Sequence, residues 1–151
     1  MSLKENIIGF HHVSIKAQDL DATIRFYEEM GFTIVHEWSL PDFNMERCVM
    51  LFNSNIGYYL EICDADSEMP TQGRKRVDGD GYIENALLHI CFVVKDVESA
   101  IRDAIAAGAK PLSDGAWEID LRHGDKQVTV HNGLVYSPNG EVIEFLKAVA
   151  F

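Results

Sequence analysis

The segment His12–Leu20, HVSIKAQDL, organises the whole chain, because it returns as HICFVVKDV over His89–Val97. In both copies an aspartate follows a histidine by seven residues, and the aspartate opens a helical pattern that stops at a glycine, Gly31 or Gly108. The steps from His12 to His89, from Asp19 to Asp96 and from Gly31 to Gly108 all equal 77 residues. Agreement at three separate positions marks an internal repeat. The expected organisation is one domain over 1–151, with module 1 at about 6–64, a linker or lid at about 65–84 and module 2 at about 85–148.

Within each copy the run before the aspartate reads as a strand, and strand alternation sorts its side chains onto two faces. Val13, Ile15 and Ala17 share one face, and His12, Ser14 and Lys16 share the other. In the second copy Ile90, Phe92 and Val94 take the apolar face, which leaves His89 and Cys91 on the face equivalent to that of His12. Asp19 and Asp96 suit helix N-caps, where a carboxylate accepts a backbone N–H and meets the positive end of the helix dipole. Beyond them, Leu20, Thr23, Ile24 and Tyr27, and Val97, Ala100, Ile101, Ala104 and Ile105, form stripes at helical spacing that can cover one side of a sheet. Gly31 and Gly108 supply the left-handed stop.

Extended segments follow each helix: Thr33–Trp38, Glu46–Phe52 and Gly57–Cys63 in module 1, then Ala116–Arg122, Gln127–His131 (with continuation to Tyr136 open) and Glu141–Leu146 in module 2. Turn-forming residues separate them, in 53–57, 123–125 and 137–140. Each module is therefore βαβββ, and the fold class is α+β with mostly antiparallel sheet. The segment Asp64–Asn85 lacks periodicity. Its Arg74-Lys75-Arg76 run reads either as a solvated loop or as an anion clamp.

Composition narrows the function. The 151 residues are 47% hydrophobic and 25% charged, as expected of a globular domain, and 13 basic against 24 acidic residues give a net charge of −11. That field repels phosphate backbones and anionic lipid, so nucleic acid and membrane are not expected partners. The longest apolar run, Leu87–Val94, is interrupted by His89 and is far shorter than a membrane span, and Lys4 and Glu5 stand where a signal peptide would turn apolar. A cytoplasmic location is expected. Cys48, Cys63 and Cys91 form no CxxC pair and read as reduced, mostly core thiols.

The last strand of each module carries a carboxylate among apolar neighbours, Glu61 in YYLEIC and Glu144 in EVIEFL. Burying an unpaired carboxylate costs several kcal/mol, so each placement calls for an edge position, a shifted pKa or a cation. Leu60 and Ile62 flank Glu61, and Ile143 and Phe145 flank Glu144. Both glutamates thus leave the helix-packed face, as both histidines do. If the four converge, His12, Glu61, His89 and Glu144 make a two-histidine, two-carboxylate set suited to Zn²⁺, Ni²⁺, Co²⁺ or Mn²⁺ rather than Ca²⁺. Such a set leaves coordination positions open for a small-molecule substrate with adjacent oxygens, whose enediolate the ion would stabilise, and a loosened glutamate could move the proton.

These residues, His12 with Asp19-Leu20 and Phe26-Tyr27, Leu60-Glu61-Ile62, His89 with Asp96, and Pro138-Asn-Gly140 with Ile143-Glu144-Phe145, resemble the vicinal oxygen chelate superfamily over nearly the whole chain. The likeness is to its glyoxalase I (lactoylglutathione lyase) and bleomycin-resistance-like group. It implies paired modules closing a cupped sheet around one divalent metal held by His12, Glu61, His89 and Glu144. It also implies Glu144 as the base with Glu61 as its possible partner, lyase or isomerase chemistry through an enediolate-like intermediate, and a homodimer. Lys16 stands where bacterial glyoxalase I has an arginine, and Ala65 where those enzymes have an asparagine, so the resemblance does not carry glutathione over as co-substrate. Epimerase, extradiol dioxygenase and a non-catalytic binder of aromatic ligands are the alternatives within the superfamily.

Other residues have competing readings. Trp38, Phe43, Tyr59, Trp117 and Tyr136 can line an apolar substrate cup or pack in the core, and Cys91 can touch substrate or be a small buried thiol. The candidate substrate-binding set is Lys16, Trp38, Tyr59 and Cys91. His11 falls, by alternation, on the face of Val13 and Ile15, while His36, His123 and His131 lack repeat partners and read as structural or surface residues.

Overall fold

The computed structural model describes residues 6, 8–68, 78, 79, 81, 87–123 and 125–150, with the side chain of His123 outside the description. The chain forms two compact units, Met1–Pro70 and Thr71–Phe151. The expected clamp at Arg74-Lys75-Arg76, and with it most of the linker or lid, lies outside the described residues.

The first unit runs β1 (His12–Lys16), α1 (Leu20–Glu29), β2 (Thr33–Leu40), a short 3-10 turn (Pro41–Phe43), β3 (Met45–Asn53) and β4 (Tyr58–Cys63). Its sheet has the order β1-β4-β3-β2, with β1 parallel to β4 and the other pairs antiparallel. The second unit repeats the plan with β5 (Ile90–Val94), α2 (Val97–Ala106), β6 (Lys110–Pro111), β7 (Trp117–His123), β8 (Lys126–Tyr136) and β9 (Val142–Lys147). Here β5 is parallel to β9, β9 is antiparallel to β8, and β8 receives both β6 and β7. The βαβββ expectation is met in the first unit. In the second, the outer strand is divided: β6 pairs with the Val135–Tyr136 end of β8, and β7 with Lys126 to Asn132.

Local chemistry explains the elements. The Asp19 carboxylate accepts from the Ala22 N–H at 2.9 Å and the Asp96 carboxylate from the Ser99 N–H at 2.6 Å, so both expected caps form. That hydrogen bond holds the Asp96 carboxyl below its ordinary range. Gly31 and Gly108 have φ of 88° and 106°, a region that L side chains rarely enter, directly after the last turn of each helix. Asn53 ties the first module together: its amide donates to the Met30 carbonyl at 2.9 Å and its oxygen accepts from the Asn55 N–H at 3.0 Å, joining the helix end to the β3–β4 turn.

Packing follows the helical stripes. On α1, Thr23, Ile24, Phe26 and Tyr27 are buried, with Tyr27 edge-on to both Phe26 and Phe32. The sheet contributes Ala17, Val49, Leu51, Leu60 and Ile62, all buried. Each of the valine, leucine and isoleucine side chains stabilises by about 1.5–3 kcal/mol when fully removed from water. On α2, Val97, Ile101 and Ala104 are buried, whereas Ile105, expected in the stripe, is 41% exposed and lies at its margin. Here α2 rests on β8 and β9 so closely that a Cβ on Gly133 would overlap Ile101 Cδ1 and lie 3.2 Å from its Cγ1.

Candidate metal-binding faces

In each module the parallel pairing of the first and last strands places the histidine and glutamate on the face away from the helix. In module 1, Ser14 stands opposite Glu61 and His12 opposite Tyr59. In module 2, Cys91 stands opposite Glu144. The residue facing each glutamate is thus the second after each histidine, so the registers of the two modules coincide. The flanking Leu60, Ile62, Ile143 and Phe145 are at most 4% exposed, which confirms the alternation that sends both glutamates to the other side.

Module 2 brings its two candidates together: His89 Nε2 lies 3.0 Å from Glu144 Oε2. The Glu144 side chain is 14% exposed and the His89 side chain 42%. The second carboxylate oxygen of Glu144 accepts from Asn132 Nδ2 at 2.9 Å, across β8 and β9, so both oxygens are engaged and the rotamer is fixed. Cys91 is exposed, yet partial desolvation, and after it the Glu144 carboxylate, push its thiol up to about 11.

In module 1 the Glu61 carboxylate accepts from the Ser14 hydroxyl at 2.6 Å. His12 is half-buried, and its Nδ1 lies 2.8 Å from His11 Nδ1, one ring donating and the other accepting. His11 itself departs from expectation. Its ring stacks on Tyr59, the cross-strand partner of His12, at 4.6 Å and 6°, on the side of His12 rather than of Val13. Tyr59 also leans on Phe52, with ring centroids 4.6 Å apart. Lys16 ends β1, exposed and opposite Cys63. Trp38 stands opposite Cys48, is packed against Met45, Cys48 and Cys63, and carries His36 stacked on it at 5.7 Å. Trp38 is thus partly absorbed by packing, while Tyr59 is half-buried beside the histidines.

The remaining histidine with a described side chain, His131, lies 3.2 Å from Glu98 of α2 and 3.8 Å from Glu118, a structural role of the kind expected. Three contributions escaped sequence reasoning. Alternation puts Ser14 on the face of His12, but its bond to Glu61 follows only from the parallel register. Asn132 gives no signal, because its strand was firm only to His131. The sulfur pair was also missed: Cys48 and Cys63 are direct cross-strand partners with Sγ atoms 2.8 Å apart. Sharing one hydrogen bond lowers the Cys63 thiol and raises that of Cys48.

Comparison with known proteins agrees with this architecture. A family model described as a glyoxalase-like domain matches residues 10–146. The curated lactoylglutathione lyase of Schizosaccharomyces pombe is 26% identical over 120 residues, which cover 70% of this chain and 40% of that protein. The chain therefore spans well under half the length of that relative. Among solved structures, a glyoxalase family protein from Enterococcus faecalis superposes with a TM-score of 0.60 at 23% identity, covering 92% of this chain and 97% of the other. A glyoxalase family protein from Bacillus cereus gives 0.63 at 14% identity, covering 99% and 100%. With the repeat, the paired βαβββ units and a family match over nearly the full length, the chain belongs to the glyoxalase-like domain family, within the vicinal oxygen chelate superfamily.

Proposed function

We propose that the protein is a metal-dependent lyase or isomerase of the glyoxalase I type, acting on a small substrate with adjacent oxygens. The observation that carries this reading is the coincident register of the two modules, which gives each a histidine and a glutamate on the same face and, in module 2, sets His89 and Glu144 in contact at 3.0 Å. His12, Glu61, His89 and Glu144 would hold one divalent first-row cation.

The donor set fits such an ion. Two imidazoles and two carboxylates bring −2 to a +2 charge, and Glu144 is buried enough that a cation offsets its desolvation. Asn132 and Ser14 each donate a hydrogen bond to one of the two carboxylates, as outer-shell groups do around metal ligands. When bound, the ion acts as a Lewis acid on the substrate oxygens.

The chain's own groups do the rest. Glu144 takes the proton from the carbon beside the carbonyl and returns it to the neighbouring carbon, which shifts hydrogen without net oxidation. Glu61 is the candidate partner on the other side. Tyr59 offers an apolar wall, Lys16 a positive charge for an acidic substrate group, and Cys91 a neutral thiol beside Glu144.

The test is elemental analysis of purified protein, then turnover of 2-oxoaldehyde thiohemiacetals with the best-retained metal. Glu144→Gln should lower turnover at least about 100-fold, the scale of general acid–base catalysis, while keeping some metal. Unchanged turnover in the variant, or metal-free active protein, refutes the assignment.

A further inference from the structure

We propose that Cys48, Cys63 and Glu61 form a second binding site, overlapping the first at Glu61, for a thiophilic closed-shell divalent cation of the Zn²⁺ class. Glu61 and Cys63 are two apart on β4 and so share a face, while Cys48 is the direct antiparallel partner of Cys63 on β3. Two ligands at i and i+2 of one strand, with a third opposite on its neighbour, give three donors converging from one side of a rigid sheet. Rigid elements of this kind hold a site more accurately than loops do. The donor atoms all lie within 4.8 Å of one another, with 2.8 Å between the sulfurs and 4.0 Å from Cys63 Sγ to Glu61 Oε1.

The surroundings match the chemistry. Cys48 is 0% and Cys63 4% exposed, with the buried Met45 in the same cluster and Trp38 packed against it. Glu61 is the half-buried member of the three, and the two sulfurs are buried. Ser14 donates to Glu61 Oε1 at 2.6 Å and so limits the freedom of the carboxylate. Two Zn–S bonds of about 2.3 Å at a tetrahedral angle require sulfurs about 3.7 Å apart, so the thiols must part by roughly 1 Å, a rotamer adjustment. Each thiol releases its proton to solvent as its sulfur takes the ion. Softness separates this site from the imidazole and carboxylate set above: two thiolates select Zn²⁺ or Cd²⁺ over Mn²⁺ or Mg²⁺. The two share Glu61, but the proposal stands without the lyase reading because its sulfur ligands belong to no part of it.

The test is titration of the full chain with Cd²⁺ under a phosphine reductant, read by the ultraviolet sulfur-to-cadmium charge-transfer band, with zinc X-ray absorption on wild-type protein. One band-forming equivalent per chain is expected. The band should vanish in Cys48→Ala and Cys63→Ala, weaken at least about tenfold in affinity in Glu61→Gln, and persist in Cys91→Ala and Glu144→Gln. The zinc spectrum of wild-type protein should show two sulfur scatterers at about 2.3 Å, a readout that needs no variant to fold. A zinc shell of nitrogen and oxygen alone, or a band that survives in a folded Cys48→Ala protein, overturns the site. Loss of the band in Cys91→Ala overturns it as well. Failure of the lyase reading shows instead as absent turnover, with the cadmium band intact.

Discussion

Gly133→Ala tests the packing that holds the strand carrying Asn132 in place. The added methyl would overlap Ile101 Cδ1 and lie 3.2 Å from Ile101 Cγ1 and 3.4 Å from Val97 Cγ1, on side chains 7% and 1% exposed. Both belong to one turn of α2, so neither can swing to solvent without lifting the helix from β8. Overpacking of this kind costs about 1–3 kcal/mol. Removing a glycine from a strand returns about 0.5–1 kcal/mol, which leaves a net loss of about 0–2.5 kcal/mol. Ile101→Val deletes the overlapping Cδ1 and alone costs about 0.5–1.5 kcal/mol. In a double-mutant cycle the glycine substitution should cost less in the valine background, where the Cδ1 overlap is gone and the 3.2 Å contact with Cγ1 remains, a coupling of about 0.5–3 kcal/mol between touching residues. The assay is urea denaturation in a Trp38→Phe background, where Trp117 is the remaining tryptophan and reports the second unit. Strictly additive effects would show that α2 does not rest on Gly133 as described.

Three further outcomes follow from the same geometry. Asn132→Ala removes a hydrogen bond to a carboxylate worth about 1.5–3 kcal/mol; metal affinity should fall about 10- to 100-fold by metal titration, with no further loss in a Glu144→Gln background, and equal affinity in a folded variant would refute the link. Asp19→Ala strips the α1 cap and should cost about 0.5–2 kcal/mol by thermal or urea melts, with Asp19→Asn close to wild type. For Asp96 the sign is set by its lowered pKa. Its stabilisation is fully present above the unfolded carboxyl value near 3.9 and is lost as pH falls through the lower folded value. Asp96→Asn should therefore flatten stability against pH below about pH 4, and identical acid profiles would contradict the cap.

Much of this was legible because repetition supplied a second reading of each uncertain element. His12 alone is an ordinary strand histidine; paired with His89 at the same distance from a capping aspartate, it marks a plan. The burial of Leu60, Ile62, Ile143 and Phe145 follows from alternation, so the face of each glutamate was derivable. Partners across strands were not. The Ser14–Glu61 bond and the Cys48–Cys63 contact depend on register, which one strand does not encode for its neighbour. The side taken by His11 follows from its stacking on Tyr59 across the strands, a contact that alternation within β1 does not encode. The short β6 was unreadable because Lys110-Pro111 has neither length nor periodicity, and its proline serves at an edge.

The division of the outer strand into β6 and β7 shows where this architecture tolerates change. A strand at the margin of a sheet is bonded on one side only, so cutting it sacrifices a few ladder bonds and leaves β8 and β9 in register. The carboxylate-bearing β9 lies two places further in, between β5 and β8, where the same interruption would break two ladders at once. Duplicated modules can therefore drift apart at their rims, altering what they admit, while their inner strands stay locked to a common chemistry.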